Sequence, residues 1–318
     1  MIIGLRELRF FLEIVALKSI SKAAESLHIT QPALSTKIKK LEQTLGFTLF
    51  ERNWEGVQLT TKGGYFLPYA VQLLQSMEDA TTVLNQDNGN AMQTFTEVIN
   101  DSQRLRIGID GWLLPYVLPR LYKVLTADTT EHGLKIVTQP SLVLKTLVSH
   151  SCLDLAFFYS VDPSEDKAIR ALPLYEDEMI LLCHQSHALL HSPIEHLSNV
   201  INNLPFILFD NPTLSHHSQI TKRITDLFKI QHFHVVDDLY TAFSLISHNL
   251  AFTILTATCA LHLQNHSIFS SIAVKPLGNY LPLAYINMAG STSFEQSPIF
   301  EAITTAMQNI KKPANNAG

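Results

Sequence analysis

The stretch ISKAAESLHITQPALSTKIKKLEQTLG, Ile20 to Gly46, constrains this chain more than any other. Thr30 is a natural helix N-cap, and Pro32 falls in the first turn, where a missing N–H is harmless. Leu34, Ile38, Leu41 and Leu45 then recur at helical spacing before Gly46 ends the run. The predicted helix buries that aliphatic stripe and turns Pro32, Ala33, Thr36, Lys39 and Lys40 the other way. Upstream, Ser21 is placed to cap a shorter helix through Leu27. Leu5 to Lys18 reads as a first helix with Leu8, Phe11, Leu12 and Val15 facing inward. Downstream, FTLFERNWEGVQLT reads as two short strands around a turn at Asn53 to Gly56. Three helices and a hairpin make a winged helix-turn-helix.

Charge is distributed unevenly around this motif. Residues 1–65 hold nine Lys/Arg and six Asp/Glu, a net of +3, whereas the whole chain carries −5 and the remainder therefore −8. A small basic end on an acidic body suits a polyanion partner for that end alone. The apolar opening MIIGLRELRFFLEIVALK is broken at helical spacing by Arg6, Glu7, Arg9 and Glu13, which reads as an amphipathic helix rather than a signal peptide. No apolar run is long enough to span a bilayer. Cys152, Cys183 and Cys259 are odd in number and lack a CxxC, the pattern of free thiols in a reducing cytoplasm. We therefore expect a cytoplasmic protein.

From Thr61 the pattern becomes a long helix. Phe66, Ala70, Leu73, Met77, Ala80 and Leu84 step by four and three, a seam for pairing with a second copy, and Pro68 should bend the helix or restrict its start. From Leu105 onward, apolar strands alternate with helical segments. The strands are LRIGI, LKIVT, LDLAFF, EMILLCH, PFILF, HFHVV, AFTIL and LPLAYIN. The helical segments are Leu113–Leu125, Leu142–His150, Ser218–Lys229 and Tyr240–His248. This predicts an α/β domain with mostly parallel sheets, in two lobes with a cleft between them. The expected divisions are 1–60 for DNA binding, 61–88 for the linker helix and 89–103 for a hinge. One lobe takes 104–174 with 276–312, the other 175–275.

The chemistry of the third helix answers to duplex DNA. Gln31 can bond adenine through N6 and N7, Ala33 can meet a thymine methyl, and Ser35 can reach a base or a phosphate. Lys37, Lys39 and Lys40 can neutralise phosphates and set affinity and register. The segment SKAAESLHITQPALSTKIKKLEQTLGFTLFERNWEGVQLTTKG resembles, nearly residue by residue, the N-terminal signature of the LysR-type transcriptional regulators. LRIGI, LDLAFF and PLYEDEMILLCHQSHAL resemble parts of that family's effector domain, so the likeness runs through most of the chain. It implies a regulator that dimerises through its linker helix, commonly assembles as a tetramer, binds an inverted-repeat operator and carries a two-lobed, periplasmic-binding-protein-like effector domain. By position it implies DNA contacts at Gln31, Pro32, Ser35 and the wing's Arg52, with Thr30, Ala33, Thr36, Lys37, Lys39 and Lys40 on the same surface. Thr36 departs from the pattern, since the family often has Arg there.

The resemblance also implies a small-molecule effector between the lobes. Asp110 and Trp112 stand in the turn after the first strand, Ser141 opens the next loop, and Asp210, Asn211 and Thr213 lie in the second lobe. Two roles compete for Asp110: anchor for a neutral or amine-bearing effector, or cap of the helix that starts near Trp112. Each polar residue of this group suits a cap or turn as well as a ligand contact. Among the fourteen histidines no H-x3-H falls on a predicted helix with a carboxylate partner, and no cysteine joins them, so no metal is expected. No cofactor is implied. An enzyme is the rival class, with Asp154 as a candidate acid, yet the chain has no G-x-S-x-G, no phosphate-binding glycine loop and no HExxH. A solute-binding protein accounts for the second half alone.

Overall fold

The computed structural model describes residues 3–53, 56–85, 105–127, 133–160, 169–201, 204–209, 218–263 and 267–308. It divides into two units, Met1–Asn100 and Asp101–Gly318.

The first unit contains α1 (Leu5–Leu17), α2 (Ile20–Ser26), α3 (Gln31–Leu45), the antiparallel hairpin β1 (Phe50–Asn53) and β2 (Gly56–Leu59), and α4 (Thr61–Asn85). Thr30 caps α3 as expected, its hydroxyl accepting the Ala33 N–H at 3.4 Å, and Gly46 ends the helix at φ 77°, where a side chain would strain the backbone. The cap of α2 is Ser19 and not Ser21: the helix begins at Ile20, so the serine left in extended backbone accepts the Lys22 N–H. Leu34, Ile38 and Leu41 are buried, while Leu8, Phe10, Phe11 and Ile14 face inward from α1. Leu12 and Val15 are only partly covered, so α1 is turned relative to the predicted stripe. Phe11 lies 5.3 Å from Phe50 and 5.5 Å from Phe66, ring to ring, which locks α1, β1 and α4 around one core. Glu42 of α3 fastens the start of the hairpin by accepting the Leu49 N–H at 2.7 Å. Gly63 must be glycine: a Cβ there would stand 2.1 Å from the Leu49 carbonyl oxygen. The α4 helix continues through Pro68.

In the second unit the chain runs β3 (Leu105–Ile109), α5 (Leu114–Ala127), β4 (Leu134–Thr138), α6 (Ser141–Ser149), β5 (Leu155–Ser160), β6 (Leu172–Asp177) and β7 (Met179–His184). It continues with α7 (Leu197–Val200), β8 (Phe206–Phe209), α8 (Ser218–Phe228), β9 (Phe233–Val236), α9 (Leu239–Ser247) and β10 (Thr253–Thr256), and ends with β11 (Ile272–Pro276), β12 (Ala284–Gly290) and α10 (Pro298–Gln308). A five-stranded sheet has the order β4-β3-β5-β12-β6; the other lobe holds β10-β7-β11 and a parallel pair, β8-β9.

The sheets are mixed, which corrects the expectation of mostly parallel pairing. β3, β4 and β5 are parallel, but β12 returns between β5 and β6 antiparallel to both, and β7 is antiparallel to β10 and β11. The cause is the double crossing between lobes, which brings the chain back in the opposite sense. β6 also carries the first lobe to Asp177, past the boundary expected at 174. All six positions of β5 are buried, as a strand covered on both faces requires. Ile107, Phe157, Leu182, Phe209, Leu255 and Ile286 belong to one core that runs through both lobes.

Candidate nucleic-acid interface and inter-lobe site

The face of α3 opposite Leu34, Ile38 and Leu41 is open. Thr30, Gln31, Pro32, Ala33, Thr36, Lys37, Lys39 and Lys40 are exposed, and Ser35 is half-buried at the edge. The structure thus brings nine of the ten expected DNA-reading residues onto one helix and its cap. Arg52 stands apart on β1, in register with Val57. The Ser21 hydroxyl, freed from capping, donates to Gln31 Oε1 at 3.1 Å and leaves the amide NH2 pointing elsewhere. The Thr36 hydroxyl donates to the Pro32 carbonyl at 2.8 Å. Three lysines beside short polar and apolar side chains can neutralise phosphates while the backbone comes close to base edges.

The seam expected along α4 is split. Ala70 is fully buried in the core of its own unit, and Phe66 packs there against Phe11 and Phe47, so these two are corrected from partner contacts to core. Leu74, not among the expected seam residues, is buried beside them at 7% exposure. Leu73 (53% exposed), Met77 (44%) and the exposed Ala80 remain as an uncovered stripe, joined by Val71. The split follows from α1 lying across the first half of α4. The side chain of Leu84 lies outside the described residues.

Between the lobes, Asp110 is 2% exposed and its carboxylate is fully engaged. It accepts the Trp112 N–H at 3.2 Å, the Ser141 N–H at 3.1 Å and the Ser141 hydroxyl at 2.6 Å. One side chain therefore caps a short turn and the start of α6 together. Burial raises its carboxyl above the ordinary range, against the lowering pull of these bonds. Ser141 in turn accepts the Tyr159 N–H at 2.9 Å. The capping role is the one these bonds support, and it corrects the reading of Asp110 and Ser141 as ready ligand contacts. Trp112 is corrected as well: the residue is 8% exposed and its ring packs edge-on against Phe209 of the second lobe at 5.0 Å. Asp210, Asn211 and Thr213 lie outside the described residues.

A second buried carboxylate escaped sequence reasoning. Asp177 sits where the chain first crosses between lobes. It receives the Thr258 N–H at 3.2 Å, the Thr258 hydroxyl, and the Tyr159 hydroxyl at 3.4 Å. Tyr159 OH also meets Thr256 at 3.0 Å, so β5 of one lobe and β10 of the other are tied by a closed polar cluster. Burial pushes the Asp177 carboxyl up to about 6 and the neighbouring Cys259 thiol up to about 12. The only local signal was an acidic run, YEDE, at a strand end. Asp154 is held by Arg106 at 2.6 Å and 3.1 Å and accepts its backbone N–H, the contacts of a structural ion pair joining β3 to the turn before β5. Among the described residues, no group of three or more His, Cys, Asp or Glu is placed to hold a metal, and no helix is long and apolar enough to cross a membrane.

A basic recognition helix in a winged helix-turn-helix, followed by a two-lobed α/β domain, defines a DNA-binding regulator with a ligand-binding domain. Residues 5–64 match the model for the bacterial regulatory helix-turn-helix protein, lysR family, and residues 100–308 match that for the LysR substrate binding domain. The chain belongs to the LysR family. It is 29% identical over 227 residues to a probable RuBisCO transcriptional regulator of Thalassiosira pseudonana, covering 70% of this chain and 68% of that one. It is 28% identical over 185 residues to the regulator BenM of Acinetobacter baylyi, 58% of this chain and 57% of that one. Among solved structures it is similar to a full-length OxyR variant from Pseudomonas aeruginosa, with a TM-score of 0.52, 19% identity, and coverage of 96% of this chain and 100% of the other. Full-length BenM gives 0.50, 22%, 98% and 100%. Both likenesses concern the fold.

Proposed function

We propose that this chain is a transcriptional regulator that binds an inverted-repeat operator as a dimer or a dimer of dimers, in the cytoplasm, under the control of a small molecule bound between its lobes. The observation that carries the reading is the open face of α3, where Gln31, Pro32, Ala33 and Thr36 stand among Lys37, Lys39 and Lys40, opposite the buried stripe. The exposed Leu73, Met77 and Ala80 supply an apolar face for a second copy.

The Asp110 carboxylate already holds the N–H and hydroxyl of Ser141. That favours a neutral or amine-bearing effector over a dicarboxylate, because an anion would have to displace Asp110 from the start of α6. An enzymatic role has no support from Asp154, whose carboxylate is committed to Arg106. Selection from a randomised duplex library tests the proposal. The expected result is an enriched inverted repeat, with half-sites about one helical turn or a multiple apart, whose binding weakens steeply with salt. Equal binding to enriched and scrambled duplexes would overturn it.

A further inference from the structure

The polar cluster at the crossing between the lobes can change charge without losing its hydrogen bonds. Asp177 is fully buried, and no ion pair to it occurs among the described residues. Its carboxylate closes a chain of groups that can each donate or accept. From Cys259 Sγ the chain runs 3.3 Å to the Thr256 hydroxyl, 3.0 Å to the Tyr159 hydroxyl, on to the Thr258 hydroxyl and so to Asp177. Tyr159 belongs to β5 of one lobe, Thr256 to β10 of the other and Thr258 to the turn that follows β10. With Asp177 ionised, every proton in the chain points toward the carboxylate. With Asp177 protonated, each can turn the other way and the chain ends on the Cys259 sulfur, a weak acceptor. The Thr258 N–H bonds the other carboxyl oxygen in either state. Protonation thus keeps the links between the lobes and removes a buried charge that no cation offsets.

From this chain of bonds we propose that Asp177 is an acid-responsive latch between the lobes: its neutral carboxyl holds the arrangement described here, and ionisation as pH rises favours a looser one in which water reaches the carboxylate. The latch belongs to the second unit; only its bearing on operator binding rests on the proposed regulatory role. Other titratable groups face the cluster. Tyr116, Tyr159, Tyr175 and Cys259 are raised by burial and stay neutral at neutral pH and below. Glu176 and Glu178 flank Asp177 along the chain, and β12 places Ala284 opposite Asp177 and Tyr285 opposite Glu176. Arg120 lies over the Tyr116 ring at 4.4 Å, Asp110 exerts its charge on Cys259, and His262 Nε2 is 3.3 Å from the Trp112 carbonyl. All of these remain in an Asp177 variant, so its difference from wild type isolates Asp177.

Trp112 reports the arrangement, because its ring packs on Phe209 of the second lobe at 5.0 Å. Trp54 is the other tryptophan of the chain, so the experiment uses the full-length protein carrying Trp54→Phe. Acrylamide quenching of Trp112 emission is measured from about pH 4.5 to about pH 7.5, a range that spans the Asp177 carboxyl, raised by burial to about 6. Quenching is expected to rise with pH as the ratio of latched to loose protein falls by about twenty-fold, the loose form having an ordinary carboxyl. Asp177→Asn copies the neutral carboxyl and should keep quenching low throughout. Thr258→Val interrupts the chain without adding charge and should raise quenching near pH 5 toward the value its parent reaches near pH 7.5. Quenching that does not change with pH in the parent protein would overturn the latch before any variant is made. So would an Asp177→Asn curve that rises in parallel with the parent, or a Thr258→Val curve that coincides with it. No readout here involves DNA, so a failed operator selection would leave the latch standing, and a failed latch would leave the DNA-binding role untouched.

Discussion

Two buried aspartates set the behaviour of the second unit at the residue scale. Asp110→Ala would leave the N–H groups of Trp112 and Ser141 and the Ser141 hydroxyl without their acceptor in a buried place. The expected loss is roughly 2 kcal/mol in urea unfolding, with a smaller loss for Asp110→Asn, which keeps one acceptor oxygen. Asp177 adds a pH dependence whose sign follows from its carboxyl, raised from 3.8 to about 6 by burial. Between roughly pH 4 and pH 6 the folded state holds a proton that the unfolded chain has released. Stability from this group is therefore greatest below pH 4, falls as pH rises through the window and is level above it. The shift corresponds to about 3 kcal/mol. Asp110 drifts the same way, whereas Asp238, bonded to Thr241, shifts down and acts oppositely, so the comparison must be with a variant. Relative to Asp177→Asn, wild type should lose about 3 kcal/mol between pH 4 and pH 7 in denaturant midpoints. Parallel curves for the two proteins would remove Asp177 as the titrating group.

At the scale of elements, α4 buries Phe66, Ala70 and Leu74 in its own unit and leaves Leu73, Met77 and Ala80 uncovered, and single substitutions separate the two faces. Ala70→Asp places a charge in the closed core of the first unit and should unfold it, with a cost of several kcal/mol visible as a collapsed Tm. Leu73→Asp, on an exposed position, should leave the fold intact yet shift the protein toward monomer in light scattering and lower operator affinity. The sequence showed the period of α4 but not which half α1 would cover, because that depends on a packing partner about sixty residues away. The helices of the first unit were legible since capping and apolar spacing are local: Thr30, Pro32, the leucines and Gly46 lie within one short run. Ser19 was missed in favour of Ser21, since two serines only two positions apart carry the same local signal. β6 and β11 escaped for a different reason. Pro173 interrupts LPLYED, which only an edge strand tolerates, and β11 is a half-buried strand with Lys275 and Pro276 at its end. The sequence leaves two roles open for Asp110, effector anchor or cap, because the bonds to Ser141 that favour capping join residues thirty-one apart and need the fold.

At the scale of the molecule, a helix-turn-helix unit is followed in the chain by a two-lobed substrate-binding unit. The inter-lobe contacts of Asp177, Tyr159, Thr256 and Thr258 tie the two sheets by hydrogen bonds rather than by a large rigid seam of charge. A ligand that prefers one arrangement of the lobes can shift that balance only by its difference in affinity for the two states. In calorimetry with amines, nucleosides, neutral amino acids and dicarboxylates, the wild-type protein should bind a neutral or cationic compound. Tight binding of a dicarboxylate that Asp110→Ser leaves unchanged would contradict the role given to Asp110.

The central claim, that α3 reads DNA sequence while its lysines hold phosphate, is tested most directly by anisotropy titrations of wild type, Gln31→Ala and Lys39→Ala on the enriched and scrambled duplexes across a salt series. Gln31→Ala should lose roughly 1–3 kcal/mol on the enriched duplex alone, while Lys39→Ala should weaken both alike and lower the salt slope by about one. Unchanged discrimination between the two duplexes in Gln31→Ala, or a salt slope unmoved in Lys39→Ala, would contradict the account.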